Sequence, residues 1–135
     1  MLALTGVAAL PARAVSAAAD DLAGHPDPKW YAKAREMQVL AESRGDQRYG
    51  AVVVLGQTLV GLGPSRVVAD SDRDAHAERV AIRDAQRQLG RPDLSGAVLY
   101  STSRPCGLCE AAAAQAGVSR MIHGPTLVDA GRPTR

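Results

Sequence analysis

Four residues of this 135-residue chain have the types and spacing to do chemistry: His76, Glu78, Cys106 and Cys109. They stand in two short clusters, Asp74-Ala75-His76-Ala77-Glu78 and Arg104-Pro105-Cys106-Gly107-Leu108-Cys109. One imidazole and two thiolates supply three ligands to a tetrahedral zinc ion and leave the fourth position to a water molecule. A set of two thiolates and one imidazole neutralises the ion, so such a water is acidified less than by three histidines. A nearby proton acceptor then becomes necessary, and Glu78, two residues past the histidine, is the candidate catalytic residue. The chemistry in view is metal-assisted hydrolysis. The chain has two cysteines, both in this one C-x-x-C, so a disulfide framework is excluded by count. Metal ligands, a redox dithiol and a structural disulfide remain as readings of the pair.

The elements that must hold these residues can be read from hydrophobic period and turn residues. Trp30, Ala34, Met37 and Ala41 recur at helical spacing from Pro28 to about Ser43, with Lys33, Arg35, Glu36 and Glu42 between them. Tyr49 to Leu55 is a β-branched run typical of a buried strand, and Gly56-Gln57 turns it into a hairpin partner over Thr58 to Gly63. A polar connection, Arg66 to Arg73, leads to a helix from Ala75 to about Leu89 that Gly90-Arg91-Pro92 ends. Ala97 to Ser101 reads as a strand, Cys106 to Ala116 as a helix opened by Pro105 and stopped at Gly117, and Ser119 to His123 as a last strand. The order helix, two strands, helix, strand, helix, strand predicts an α/β sandwich around a small mixed sheet, with parallel pairing across a helical crossover. The folded domain is expected over 25–124, after a loop at Gly24-His25-Pro26-Asp27-Pro28, and 125–135 is expected to be a short tail.

This organisation places both clusters at helix N-termini, with His76 one turn into its helix. Free N–H groups and the positive end of the helix dipole there favour the thiolates of Cys106 and Cys109. Their i, i+3 spacing puts both sulfurs on one side of the first turn. His25 and His123 have no partners at ligand spacing and read as structural.

Composition narrows the function further. Hydrophobic residues make up 46% of the chain and charged ones 22%, ordinary values for one soluble domain. Aromatic residues are 3% with no Phe, so the core must be built from Ala, Val, Leu and Ile. A net charge of +2, without a Lys/Arg stripe interleaved with aromatics, gives no sign of a nucleic-acid platform. Leu2 to Leu10 is apolar and small residues follow through Ala19, as in a secretory signal, yet no Lys or Arg precedes Arg13. Residues 1–24 are therefore either a signal-like leader, implying export, or a flexible extension of a cytoplasmic protein. The run is too short to span a bilayer.

H-x-E followed by P-C-x-x-C is the signature of zinc nucleobase deaminases. Together with YGAVVVL, VGLGPSRVVAD, DAHAERVAI, DLSGAVLYSTSRPCGLC and GVSRMIHG, it makes the stretch from about Lys29 to Gly124 resemble the cytidine/deoxycytidylate deaminase superfamily. It is nearest in character to the branch holding bacterial guanine deaminases and tRNA adenosine deaminases. The resemblance implies a three-layer α/β/α sandwich, one zinc per chain held by His76, Cys106 and Cys109, and assembly into homodimers or larger homo-oligomers. It also implies that Glu78 moves protons while water replaces an exocyclic amine. Ser65, Ala77 and Pro105 are the candidate substrate contacts. Two departures stand out. The branch carries an asparagine that contacts the base in a G-x-N-R context, where this chain has Ser65; a hydroxyl lacks the amide's paired donor and acceptor. The branch also continues past the fourth strand with elements that close the pocket, where Thr126 to Arg135 remain here. After the second cysteine come Glu110 and then Ala111 to Ala114, whose small side chains suit close packing.

The expected function is hydrolytic deamination of a small nucleobase, nucleoside or related amino-heterocycle. Nucleic acid and membrane are not expected partners. Two other classes compete. A thiol-disulfide redox protein would use Cys106 and Cys109 but leaves His76 and Glu78 unexplained. A catalytically inactive binding module of the same fold would account for Ser65 and the short tail.

Overall fold

The computed structural model describes residues 25–134, so the signal-like stretch lies outside the described residues. Eight elements follow one another: α1 (Pro28–Ser43), β1 (Gly50–Leu55), β2 (Thr58–Pro64), α2 (Ala77–Leu89), β3 (Ala97–Ser101), α3 (Gly107–Ala116), β4 (Arg120–His123) and β5 (Val128–Gly131). The strands form one sheet in the order β2-β1-β3-β4-β5. β1 pairs antiparallel with β2 and with β3, and β5 pairs antiparallel with β4. β3 and β4, joined through α3, are parallel, with Val98 beside Arg120 and Ser101 beside His123.

Helices cover both faces, so the architecture is an α/β/α sandwich around a mixed sheet. β1 shows why its sequence is apolar without alternation. Val52 and Val54 pack with Ala34 of α1 on one face, whereas Ala51 and Val53 pack with Ala77, Ala81 and Ala85 of α2 on the other. A strand buried on both sides needs no polar face. Asp27 starts α1 by accepting the Lys29 N–H at 3.0 Å, and α2 and α3 end at the left-handed Gly90 and Gly117. No described helix is long and apolar enough to cross a membrane.

The segment read as a tail contains β5. Its four residues are mostly exposed, and the strand exists through its ladder to β4 and the 3.5 Å ion pair between Arg120 and Asp129. An edge strand carrying little apolar pattern has no signal of its own. The fourth strand also starts one residue later than expected. The Ser119 hydroxyl accepts the Gly96 N–H at 2.8 Å, which holds that residue in the connection from α3.

The alanine-rich composition has a geometric purpose on the α2 side. Gly61 and Gly63 of β2 let α2 lie almost in contact with the strand backbone. A Cβ at Gly63 would lie 2.6 Å from Ala81 Cβ and closer still to the Ala77 carbonyl oxygen. Gly63→Ala is therefore expected to push the start of α2 off the sheet and to cost about 1–3 kcal/mol of stability, the usual range for overpacking. Because His76 and Glu78 ride on that end of α2, zinc affinity should fall with it. Thermal melting and metal content measure the two effects, and an unchanged melting temperature would contradict the close approach.

Candidate active site

His76 and Cys106 are the N-cap residues of α2 and α3, and both adopt extended backbone, φ −63° and ψ 153° for His76 and φ −73° and ψ 169° for Cys106. The helix carrying His76 starts two residues later than its composition suggests, so the imidazole precedes the first turn instead of lying one turn inside it. The reason is local: the Ala75 N–H is bonded to the Asp72 carbonyl and the Ala75 carbonyl to the Arg66 N–H, which holds Ala75 in the approach. Glu78 is then the second helical residue of α2, and Cys109 the third of α3. Two N-caps facing each other across neighbouring helices bring clusters thirty residues apart in sequence into one place.

The ligand atoms meet at metal-site distances. His76 Nδ1 lies 3.6 Å from Cys106 Sγ and 3.4 Å from Cys109 Sγ, and the three atoms lie within 4.8 Å of one another. Zinc–sulfur bonds of about 2.3 Å and zinc–nitrogen bonds of about 2.0–2.1 Å at a tetrahedral angle give a nitrogen–sulfur edge of about 3.5 Å. Both observed edges fit. The cluster runs from exposed Cys106 through half-buried His76 to fully buried Cys109. Both cysteines are free thiols.

Glu78 is buried, and its Oε2 is 3.6 Å from Cys109 Sγ. Burial raises the Glu78 carboxyl above the ordinary glutamate range. Burial likewise pushes the Cys109 thiol well up, and the adjacent Glu78 charge adds to the shift. This burial opposes the help that the helix N-terminus gives to the Cys109 thiolate. Two acids crowded in a dry spot are what a divalent cation discharges, so the donor chemistry and the spacing both fit zinc.

A cavity of about 510 Å³ opens over this cluster, lined by Gln47, Tyr49, His76, Glu78, Ser103, Arg104 and Cys106. His76, Glu78 and Cys106 are thus on one wall, as the sequence leads one to expect. Ser65, Ala77 and Pro105 are not on that wall. Ser65 is buried one layer behind it, giving its N–H to the Tyr49 carbonyl at 3.1 Å and its hydroxyl to Asp46 at 3.3 Å. Ala77 is fully buried under β2, and Pro105 lines a separate cavity of about 120 Å³ with Arg104, Glu110, Met121, Ala130 and Pro133.

Asp46 organises the approach to His76. Its carboxylate accepts the N–H groups of Gln47, Val68 and Ala69 at 2.9, 3.2 and 2.9 Å, as well as the Ser65 hydroxyl. Modest burial opposes its charge, but these donors outweigh it and hold the carboxyl below its usual range. Of the residues that sequence reasoning overlooked, Ser103 and Arg104 carried a signal, because they directly precede P-C-x-x-C. Gln47 and Tyr49 carried none, since only the sheet order brings the α1–β1 connection to this wall.

Residues 25–124 match the family model described as the cytidine and deoxycytidylate deaminase zinc-binding region. The chain is 31% identical over 103 residues to the tRNA-specific adenosine deaminase of Buchnera aphidicola subsp. Schizaphis graminum, a match covering 76% of this chain and 68% of that protein. A solved structure from work on A-to-I editing by tRNA:A34 deaminases at the wobble position superposes with a TM-score of 0.70 at 34% identity, over 73% of this chain and 71% of that one. The crystal structure of guanine deaminase from Bacillus subtilis superposes with a TM-score of 0.70 at 27% identity, over 74% of this chain and 64% of that one. The chain thus spans 64% to 71% of the length of these three proteins.

Proposed function

The chain belongs to the cytidine and deoxycytidylate deaminase family, and from that premise we propose that it is a zinc-dependent aminohydrolase acting on a small nucleobase, nucleoside or related amino-heterocycle. One observation carries the reading: His76 Nδ1 stands at tetrahedral-edge distances from Cys106 Sγ and Cys109 Sγ, and His76 and Cys106 line a cavity that Glu78 shares. The family's region is zinc-binding, and this His/Cys group is positioned for a metal. His76, Cys106 and Cys109 would hold the ion. A zinc ion held there supplies Lewis acidity that sharpens a water molecule for attack near neutral pH.

The chain's own residues do the rest. The substrate lies in the cavity with the carbon bearing its exocyclic amine toward the floor. Glu78 accepts a proton from the attacking water as the new carbon–oxygen bond forms, and returns it to the ring nitrogen. It then carries the remaining hydroxyl proton to the amine, which leaves as ammonia as the carbon–nitrogen bond breaks. A carboxyl whose affinity for protons is raised by burial is suited to both directions of transfer. N–H groups at the start of α3 are the donors this reading assigns to the developing charge.

Relatives named as tRNA-specific adenosine deaminases favour a second reading, in which the amino-heterocycle is an adenosine within RNA. Release of ammonia from zinc-loaded protein, across cytosine, adenine, guanine, their nucleosides and a short RNA stem-loop, tests both. Turnover of a free base or nucleoside is the expected result. Turnover of the RNA alone supports the second reading. No ammonia from any of them, with zinc bound, would leave a binding module in place of an enzyme.

A further inference from the structure

Arg104 is the one cationic side chain, apart from the half-buried His76, on the wall of the cavity over the His76–Cys106–Cys109 cluster. It is exposed, and no ion pair or hydrogen bond joins its guanidinium to another described residue. Some other described arginines pair with carboxylates, as Arg66 does with Asp70 at 2.8 Å and Arg87 with Asp84 at 3.1 Å, and Arg104 does not. Two carboxylates share a cavity wall with Arg104, and both face elsewhere. Glu78 is buried against Cys109, and Glu110 accepts the Thr134 N–H and hydroxyl at 3.1 Å each. Arg104 thus presents an uncompensated, permanently charged fork at the cavity rim. Two residues of chain, at most about 7 Å, separate its Cα from that of Cys106.

The cavity also has room beyond a heterocyclic ring. Its volume of about 510 Å³ lies within the range of pockets that hold drug-sized ligands. The polar groups on the wall away from the reactive floor are Gln47, Tyr49, Ser103 and Arg104, and none of them is acidic.

We infer that Arg104 is a specificity-determining residue that binds a phosphate carried by the substrate, so that the phosphorylated form of the amino-heterocycle is preferred to the bare nucleoside. The inference deepens the deaminase reading and rests on it. A guanidinium donates two parallel N–H bonds to a phosphate, and one anchored group at the rim orients the ring toward Glu78. The phosphate belongs either to a mononucleotide or to the backbone of a single strand.

Calorimetry on zinc-loaded protein separates this from the deamination itself. Adenosine, cytidine and guanosine are titrated beside their 5′-monophosphates and beside trinucleotides of the same bases. At low salt, at least one phosphate-bearing ligand should bind tenfold or more tightly than its nucleoside, with the advantage shrinking as salt rises. R104A should reduce that ratio to below about twofold and R104K should keep part of it, because lysine retains the charge but loses the fork. R87A, which removes a positive charge on the exposed side of α2, should keep the full ratio. A gain for monophosphates identifies a mononucleotide, and a gain for trinucleotides alone identifies the strand backbone. Equal binding of nucleoside and phosphate forms to the unmodified protein, or an advantage that survives R104A, overturns the inference. These outcomes are read from binding alone, so absence of ammonia release would sink the deaminase reading without deciding the role of Arg104.

Discussion

Glu78→Gln is expected to lower ammonia release by about 100- to 10,000-fold, the range attributed to a positioned general acid–base, while zinc stays at one per chain. The expectation follows from what the substitution does and does not change. Glutamine has nearly the same shape and fills the same space beside Cys109, whose sulfur stands 3.6 Å from Glu78 Oε2. It cannot take a proton from water or hand one to a ring nitrogen. Glu78 is not among the residues whose ligand atoms cluster for a metal, so metal retention is a real constraint and not a formality. The fold should not suffer either. Burial disfavours the Glu78 charge, so a neutral amide removes a cost. The melting temperature of the variant should stay level or rise. An assay coupling ammonia to reductive amination, with metal analysis and thermal melts on the same preparations, reads all three. Retained turnover would remove Glu78 from the mechanism, and loss of zinc would recast it as a ligand or a support for one.

The parts of this site that were legible from sequence are those set by local rules. Apolar spacing from Trp30 to Ala41 and a proline at the first position delimit α1 correctly, and the glycines at 90 and 117 end α2 and α3 where expected. H-x-E and P-C-x-x-C locate the candidate ligands because N-cap positions are encoded within a few residues of themselves. What stayed hidden depends on contacts between distant segments. β5 is stabilised by its neighbour and not by its own pattern. Gln47 and Tyr49 reach the cavity because β1 lies inside the sheet, between β2 and β3, which no local signal states. Ser65 illustrates the converse. Its place in the chain suggests a base contact, yet Asp46 and Tyr49 hold it behind the wall. A position along a motif is not a direction in space.

Removing a ligand gives the other large effect, because it strikes chemistry and architecture together. Cys109→Ser should cut zinc content below about a tenth, abolish ammonia release and lower the melting temperature. His76 and Cys109 lie at the starts of two neighbouring helices, so an ion between them would tie α2 to α3. A ligand that binds the native state alone stabilises it by about 4 kcal/mol at a thousand times its dissociation constant. Each kcal/mol is worth roughly 4–8 °C of melting temperature in a domain of 60–100 residues and about 2–4 °C at 150–250, hence about 4 °C in a chain of this length. Chelation of the unmodified protein should therefore lower its melting temperature by well over ten degrees, and zinc should restore it. Cys106→Ser should lose zinc as well, with a smaller intrinsic loss of stability, since Cys106 is exposed whereas Cys109 is fully buried in the core. The same experiment decides against a dithiol role for the pair. Ligated sulfurs should resist a thiol reagent until a chelator is added, whereas a redox pair should react at once and with equal speed with or without zinc. A melting temperature indifferent to chelation, with thiols freely reactive throughout, would detach both sulfurs from the metal.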